Sequence, residues 1–191
     1  MTVVSESSIP DHLDFLVMQP DWERAIVRDL VSAVLAFNTH GHGEPLQISF
    51  PLYTNDKVTA RGWLGPCVRV TGPSEKLYVL TLRYEVSAHL RAGRAMTLVR
   101  DRPVVEAGRN ERFGLVSAAA AKRLSGSRVQ VARARPLVLS GHSRLIEMAG
   151  SLGVAVRDEA AFVARDESTV ATTGVVDMLG FSNEKTVPVL K

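Results

Sequence analysis

The chain has few of the features that would link it to a membrane, a secretory route or a disulfide-based fold. Its single cysteine, Cys67, cannot form an internal disulfide or a cysteine-based zinc site. No apolar run approaches the ~20 residues that a membrane-spanning helix needs. Residues 1–14 carry acidic side chains and no basic one, which is the opposite of a signal peptide. These absences predict a protein that is not secreted, is cytoplasmic or virion-associated, and has no transmembrane segment.

Lysine and aromatic residues are also scarce. The chain has 23 Lys+Arg residues, most of them arginines, and its aromatic content is 6%. A GC-rich coding sequence would enrich arginine, but so would a site for phosphates, because the planar guanidinium group binds oxyanions in a bidentate manner. The few aromatic side chains leave few surfaces on which unpaired bases can stack. The composition therefore favours contacts with phosphates over recognition of bases.

The positive charge of the chain is concentrated in its middle. Lys+Arg minus Asp+Glu is −3 over residues 1–90, +8 over residues 91–150 and −2 over residues 151–191. We call residues 91–150 the basic segment. Basic side chains that converge in space would bind a nucleic acid backbone or an anionic surface, largely without sequence specificity. The side chains that we predict to bind nucleic acid or another anion are Lys122, Arg123, Arg128, Arg133, Arg135 and Arg144.

The alternative for the basic segment is a dispersed, solvated surface. In that arrangement its arginines pair with nearby acidic side chains, namely Glu106, Glu111 and Glu147. Exposed pairs of this kind contribute little to stability and create no binding site. The two interpretations differ in whether the charge of the segment is neutralised internally.

Three helices are predicted, at residues 21–38, 110–125 and 143–152. The first shows apolar residues at helical spacing, with Ile26, Leu30 and Val34 on one face and Asp21 as a suitable N-cap. In the second, Asn110 is the predicted cap and Gly126 ends the helix. The third is short and stops at Gly153.

The strands are predicted from apolar residues that alternate with polar ones. Residues 46–52 alternate in this way, and Pro51 indicates an edge strand because proline cannot donate to a sheet. Residues 78–86 alternate most regularly and are predicted to form the best strand of the chain. Other predicted extended segments are residues 58–71, 96–99, 128–139 and 169–176, and a hairpin of residues 154–156 with 162–164.

Grouped strands with three helices predict an α+β protein. We expect a single domain with a mainly antiparallel sheet of about 5–7 strands. The expected organisation is an N-terminal arm at residues 1–19, the α+β domain at residues 20–180 and an irregular C-terminal tail at residues 181–191. The arm would dock on its own domain or on a neighbouring subunit.

One motif resembles a metal-binding signature. His40, Gly41 and His42 resemble the start of the His-x-His-x-Asp-His signature of the metallo-β-lactamase superfamily. Glu44 and Pro45 stand where that family has its aspartate and its next histidine, and a predicted helix precedes the motif. We therefore predict no metal or other cofactor for this chain.

A second motif resembles a nucleophile elbow. Gly141, His142 and Ser143 follow an apolar segment and precede a predicted helix, as in the α/β-hydrolases. No histidine follows His142 in the chain, so the general base that would activate a serine is missing. We predict that Ser143 caps the helix, and that Ser140 and Arg144 can help to hold an anion there.

These observations predict a non-catalytic structural or assembly protein, of the kind found as virion or matrix subunits. It would self-associate as a homo-oligomer and present a basic face to nucleic acid or to an anionic partner. Two alternatives stay open. One is a small hydrolase or metal-dependent enzyme that uses His40 and His42 or the turn from Ser140 to Arg144. The other is a nucleic-acid-binding regulator.

Overall fold

The computed structural model describes residues 11–40, 43–52, 54–56, 61–63, 65–98, 105–116, 130–131, 162–177, 179–182 and 185–190. The helices and strands follow one another in this order: β1 His12–Val17, a 3-10 turn Pro20–Trp22, α1 Glu23–His40, β2 Gln47–Ser49, β3 Thr54–Asp56, β4 Arg61–Trp63, β5 Cys67–Thr71, α2 Ser74–Leu82, α3 Tyr84–Arg91, β6 Ala95–Leu98, β7 Val105–Val116, β8 Gln130–Val131, β9 Phe162–Ser168 and β10 Val187–Leu190.

The first half of the chain forms a four-stranded antiparallel sheet, which we call sheet 1. Its strand order is β2-β5-β1-β6. Helix α1 connects β1 to β2, and α2 with α3 connects β5 to β6. This connectivity is the split βαβ, or ferredoxin-like, arrangement, with a small β3–β4 hairpin inserted between β2 and β5.

The second half of the chain contributes a second antiparallel sheet, sheet 2, in the order β10-β7-β9-β8. Aromatic side chains join it to sheet 1. The rings of Phe50 and Phe113 meet edge to face at 5.6 Å, and Phe181 stacks on Phe50 at 6.4 Å. All three rings are fully buried, so the two sheets share one hydrophobic core.

The two faces of sheet 1 differ in chemistry because side chains alternate along each strand. Phe15 and Val68 are opposite each other on the apolar face, in the same core cluster as the buried side of α1. On the other face Asp14 is opposite Arg69, whose Nε and Nη2 donate to the two carboxylate oxygens at 2.6 and 2.8 Å. This polar face is also buried, because Asp14 is 0% and Arg69 4% exposed.

A tight turn connects the core to the C-terminal strand. The backbone N–H of Phe181 donates to Oδ1 of Asp177 at 2.9 Å, and the turn closes through Gly180 at φ +87°. Burial raises the pKa of Asp177, and the hydrogen bonds from the backbone of Phe181 and its neighbours lower it in part. The backbone O of Gly180 accepts from Ile48 at 2.6 Å, which fixes the turn against sheet 1.

Several predictions from the sequence are confirmed. The protein is an α+β protein with antiparallel sheets. The predicted first helix is α1, with its apolar stripe buried, although Asp21 lies inside the preceding 3-10 turn and is not the cap. β2 is an edge strand of sheet 1, and β6 lies where a strand was expected at residues 96–99.

The second predicted helix is wrong over residues 110–116, which belong to β7. Asn110 pairs with Ser168 and Val116 with Phe162, so this segment is held by a strand some fifty residues away in the chain. Helical spacing is a local signal, and long-range pairing overrides it here. Residues 117–125 and the predicted helix at 143–152 lie outside the described residues.

The predicted strand at residues 78–86 is also wrong, because these residues lie in α2 and α3. Leu77, Leu80, Val86 and His89 recur at intervals of three and six residues and are the buried positions. Both patterns are present in the sequence, and the helical one buries Leu77, Leu80 and Val86 while other apolar side chains of the segment stay exposed. The period-two alternation of the tyrosines and leucines is coincidental.

The C-terminal quarter differs from expectation in two places. Residues 169–176 were predicted as a strand, but β9 ends at Ser168 and the following residues have no regular structure. Residues 187–190, expected to be irregular, form β10 beside β7. Residues 162–164 belong to β9, which lies between β7 and β8, while residues 154–156 are outside the described part. Within the predicted segment 128–139 only β8 is described.

The first strand lies within the segment that we interpreted as an arm. β1 pairs with β5 on one side and with β6 on the other, so it is an inner strand of sheet 1. Leu13 and Phe15 are buried in the hydrophobic core. Residues 12–17 thus supply part of the core to which α1 contributes.

Candidate functional site

A group of exposed apolar side chains lies on α2 and at the start of α3. Tyr78, Val79 and Leu82 are 67%, 44% and 60% exposed, and Tyr84 is 77% exposed. Single exposed apolar side chains are common, but here four are exposed within seven residues of the chain. Groups of exposed apolar side chains mark surfaces that contact another molecule.

Helical geometry explains why these side chains lie together. Glu75, Tyr78, Val79 and Leu82 follow the spacing i, i+3, i+4, i+7, which places them on one face of α2. We call these four residues the α2 stripe. Leu77 and Leu80 lie on the other face and are buried, so that α2 is apolar on two faces.

A kink at Arg83 separates α2 from α3. Arg83 has φ −57° and ψ 135°, an extended conformation that ends α2, and its N–H donates to the O of Leu80 at 3.2 Å. Its guanidinium group lies 3.6 Å from the carboxylate of Glu85, with both side chains more than 40% exposed. This ion pair is weak, because both partners stay in contact with water. Arg83 is therefore available to an approaching acidic group.

A second cluster connects α3 to α1. Nε2 of His89 donates to Oδ2 of Asp29 at 2.9 Å, and Nε of Arg28 donates to the other oxygen of that carboxylate at 2.7 Å. The ring of Trp22 meets His89 edge to face, and the guanidinium of Arg94 lies 3.5 Å above the Trp22 ring. His89 is 5% exposed, so the cluster holds the helices together and offers little surface to a ligand.

Two cross-strand ion pairs tie the described part of the basic segment to β9. Arg112 of β7 pairs with Asp166, and Arg165 pairs with Glu111. Glu111 is buried, whereas the side chain of Arg112 is 38% exposed. Both partners in β9 come from outside the basic segment.

The residues that the sequence singled out for binding are not among those that the structure describes. They are Lys122, Arg123, Arg128, Arg133, Arg135 and Arg144. The turn from Ser140 to Arg144 lies outside the described residues as well. Whether these side chains converge therefore stays a prediction.

The histidine motif is described in part. His40 is the exposed last residue of α1, and His42 lies outside the described residues. The carboxylate of Glu44 is 3.2 Å from Nζ of Lys185. Within the described parts of the chain, no three His, Cys, Asp or Glu side chains lie close enough together to hold a metal ion.

The α2 stripe is the feature that the sequence prediction missed. Pro73, Ser74 and Glu75 form a helix-start signal, with a proline and an acid at the first turn. A helix predicted to begin at this signal would have had Tyr78 and Leu82 on the same exposed face.

Comparison with known proteins gives no relative from which a function can be transferred. No protein-family model matches the chain, and a search of the curated proteins found no match. Of the helices in the described residues, none has the length and apolar character to span a membrane. The function must be argued from the chain's own surface.

Proposed function

We propose that the protein is a non-catalytic assembly protein that self-associates and presents its basic segment to the phosphate backbone of nucleic acid. Two surfaces take part: the exposed apolar patch on α2 and α3 for association with protein, and the basic side chains of residues 91–150 for the anionic partner. The charge of the basic segment is the observation that carries this proposal.

The ion pairs of β7 and β9 bear on whether that charge is neutralised internally. The dispersed arrangement uses Glu111 to neutralise an arginine of the basic segment, but Glu111 pairs with Arg165 from outside it. Arg112 pairs with Asp166, also from outside. The two pairs remove one negative and one positive charge, so the net charge of +8 over the segment is unchanged. Three acidic side chains, Asp101, Glu106 and Glu147, remain to offset the other basic ones.

An excess of positive charge has a specific physical consequence. Each Lys or Arg that contacts a phosphate releases a condensed counterion, so that binding weakens steeply as the salt concentration rises. Contacts of this kind carry no sequence information. We therefore expect similar affinities for unrelated sequences of the same length, which distinguishes an assembly protein from a regulator that reads one site.

The test is a titration of the full chain against labelled RNA and DNA of about 30 nucleotides, followed by fluorescence anisotropy over roughly 50 to 300 mM salt. We expect affinity to fall with salt, and the double variant Arg133→Ala/Arg135→Ala to reduce the salt slope by about 2. Lys185→Ala is the matched control, since Lys185 lies outside the basic segment and pairs only with the exposed Glu44 among charged groups of the described structure. Binding that is absent at low salt, or that does not respond to salt, would contradict the proposal.

A further inference from the structure

The α2 stripe has a charge pattern that suits a second copy of itself. It begins with an acid, Glu75, in the first turn of α2, continues through Tyr78, Val79 and Leu82, and is followed by Arg83. Nζ of the neighbouring Lys76 donates to the backbone O of Glu44 at 2.7 Å. Glu75 and Arg83 thus flank the three apolar side chains, and Arg83 also lies 3.6 Å from Glu85 of its own chain.

We infer that the α2 stripe is a two-fold interface between two copies of this chain. In a two-fold interface the same patch meets itself, so the partner helix runs antiparallel. Glu75 of each copy then faces Arg83 of the other, and the apolar side chains pack between the two ion pairs. Antiparallel helices also place the positive end of each helix dipole beside the negative end of its partner. This inference rests on the self-association in the proposed function and names its surface.

The same features disfavour nucleic acid as the occupant of this surface. Val79 and Leu82 are aliphatic and cannot stack with bases in the way that aromatic rings do. Glu75 would repel phosphates at the acidic end. Tyrosine and arginine are enriched at protein interfaces, where they contribute much of the binding energy. Tyr78 and Arg83 supply both types to the patch.

The decisive experiment exchanges the charges. Arg83 lies just past the C-terminal end of α2, eight residues after Glu75 and roughly 12 Å from it along the helix axis, so the two side chains cannot pair within one chain. We expect Glu75→Arg and Arg83→Glu each to weaken self-association at least about tenfold. An equimolar mixture of the two variants should regain it, because every ion pair is restored in the mixed dimer. Sedimentation equilibrium or light scattering over a wide concentration range measures this.

An apolar variant tests the middle of the stripe. Val79→Glu should abolish the dimer at concentrations at which the wild-type chain is dimeric, because it places two carboxylates at the centre of the interface. Val175→Glu is the matched control: Val175 is 76% exposed and lies far from α2 in the chain. Far-UV circular dichroism and thermal unfolding verify that both variants fold.

Each outcome decides the inference. A wild-type chain that is strictly monomeric, or a dimer that Val79→Glu leaves intact, overturns it. A mixture of the charge variants that fails to associate also overturns it. So does a loss of nucleic acid binding in Val79→Glu if the wild-type chain is itself monomeric. Salt-dependent binding of RNA or DNA by a strictly monomeric wild-type chain would overturn the α2 interface and leave the nucleic acid part of the proposed function standing.

Discussion

One ion pair in each sheet joins neighbouring antiparallel strands in the same way, but the two pairs lie at different depths. In sheet 1 the side chains of Asp14 and Arg69 are 0% and 4% exposed. In sheet 2 the side chains of Arg112 and Asp166 are 38% and 22% exposed. Attraction between charges and the cost of removing them from water both increase with burial. The pairs Asp14–Arg69 and Arg112–Asp166 should therefore differ when one partner is removed, since water reaches the remaining charge only in the second. The other pair of sheet 2, Arg165 with Glu111, is largely buried like the first.

The largest effect is expected for Arg69→Met, which replaces the charged side chain with an apolar, unbranched one. It leaves the Asp14 carboxylate buried without its arginine and should lower the free energy of unfolding by about 3–5 kcal/mol. Urea denaturation at neutral pH measures the change. The double variant Asp14→Leu/Arg69→Met removes both charges and should recover most of the loss. If the double variant is as unstable as the single one, the loss of stability comes from altered packing and not from the unpaired charge of Asp14.

A smaller loss is expected at the turn that joins the two sheets. A Cβ on Gly180 would lie 2.8 Å from Cγ1 of Val34 and 3.2 Å from the backbone O of Leu46, at φ +87°. Gly180→Ala should therefore cost about 2–4 kcal/mol, from the positive φ and from overpacking. Gly93→Ala is the control, because Gly93 also has positive φ but no atom within 4 Å of the added Cβ. Equal losses in thermal or urea unfolding would mean that crowding between the sheets contributes nothing.

Sheet 1 and sheet 2 also differ in how far the sequence predicts them. The prediction of α1 succeeded because its apolar spacing is local and its buried face is complete. The edge position of β2 was predicted from Pro51, but Pro51 lies in the turn that follows β2 and does not itself keep β2 out of a central position. Both elements belong to sheet 1 and its helix layer.

The strand pairings could not be predicted in either sheet, because paired strands are distant in the sequence. Asp14 of β1 and Arg69 of β5 are separated by 55 positions. β7 pairs with β9 and β10, and the acidic and basic residues that join β7 to β9 are separated by 54 positions. No local pattern in residues 110–116 reports such partners. The candidate site failed for another reason: residues 78–86 satisfy both periods, and only the burial of Leu77 and Leu80 decides between them.

A gain in stability, in contrast to the losses above, is expected for Asp177→Asn. Burial raises the pKa of Asp177, so the folded chain binds this proton more tightly than the unfolded chain does. The contribution of Asp177 to the free energy of unfolding is therefore greatest below the usual aspartate pKa. It decreases as the pH rises through the raised pKa of the folded chain. Asparagine keeps the acceptor for the Phe181 N–H and removes the charge, so the variant should be more stable at neutral pH. Unfolding of both proteins between about pH 3 and 8 tests this; a parallel pH dependence would contradict it.

The smallest effect is expected for Arg112→Ala in sheet 2. Arg112 and Asp166 are directly opposite, like the pair in sheet 1, and Nε of Arg112 donates at 2.8 Å to Oδ2, the same oxygen that its Nη2 contacts. Water can solvate the remaining Asp166, and the loss should therefore stay within about 1 kcal/mol and shrink further at high salt. Urea denaturation at low and high salt measures both quantities. A loss as large as that of Arg69→Met would show that strand register and hydrogen-bond geometry, rather than burial, determine what such a pair contributes.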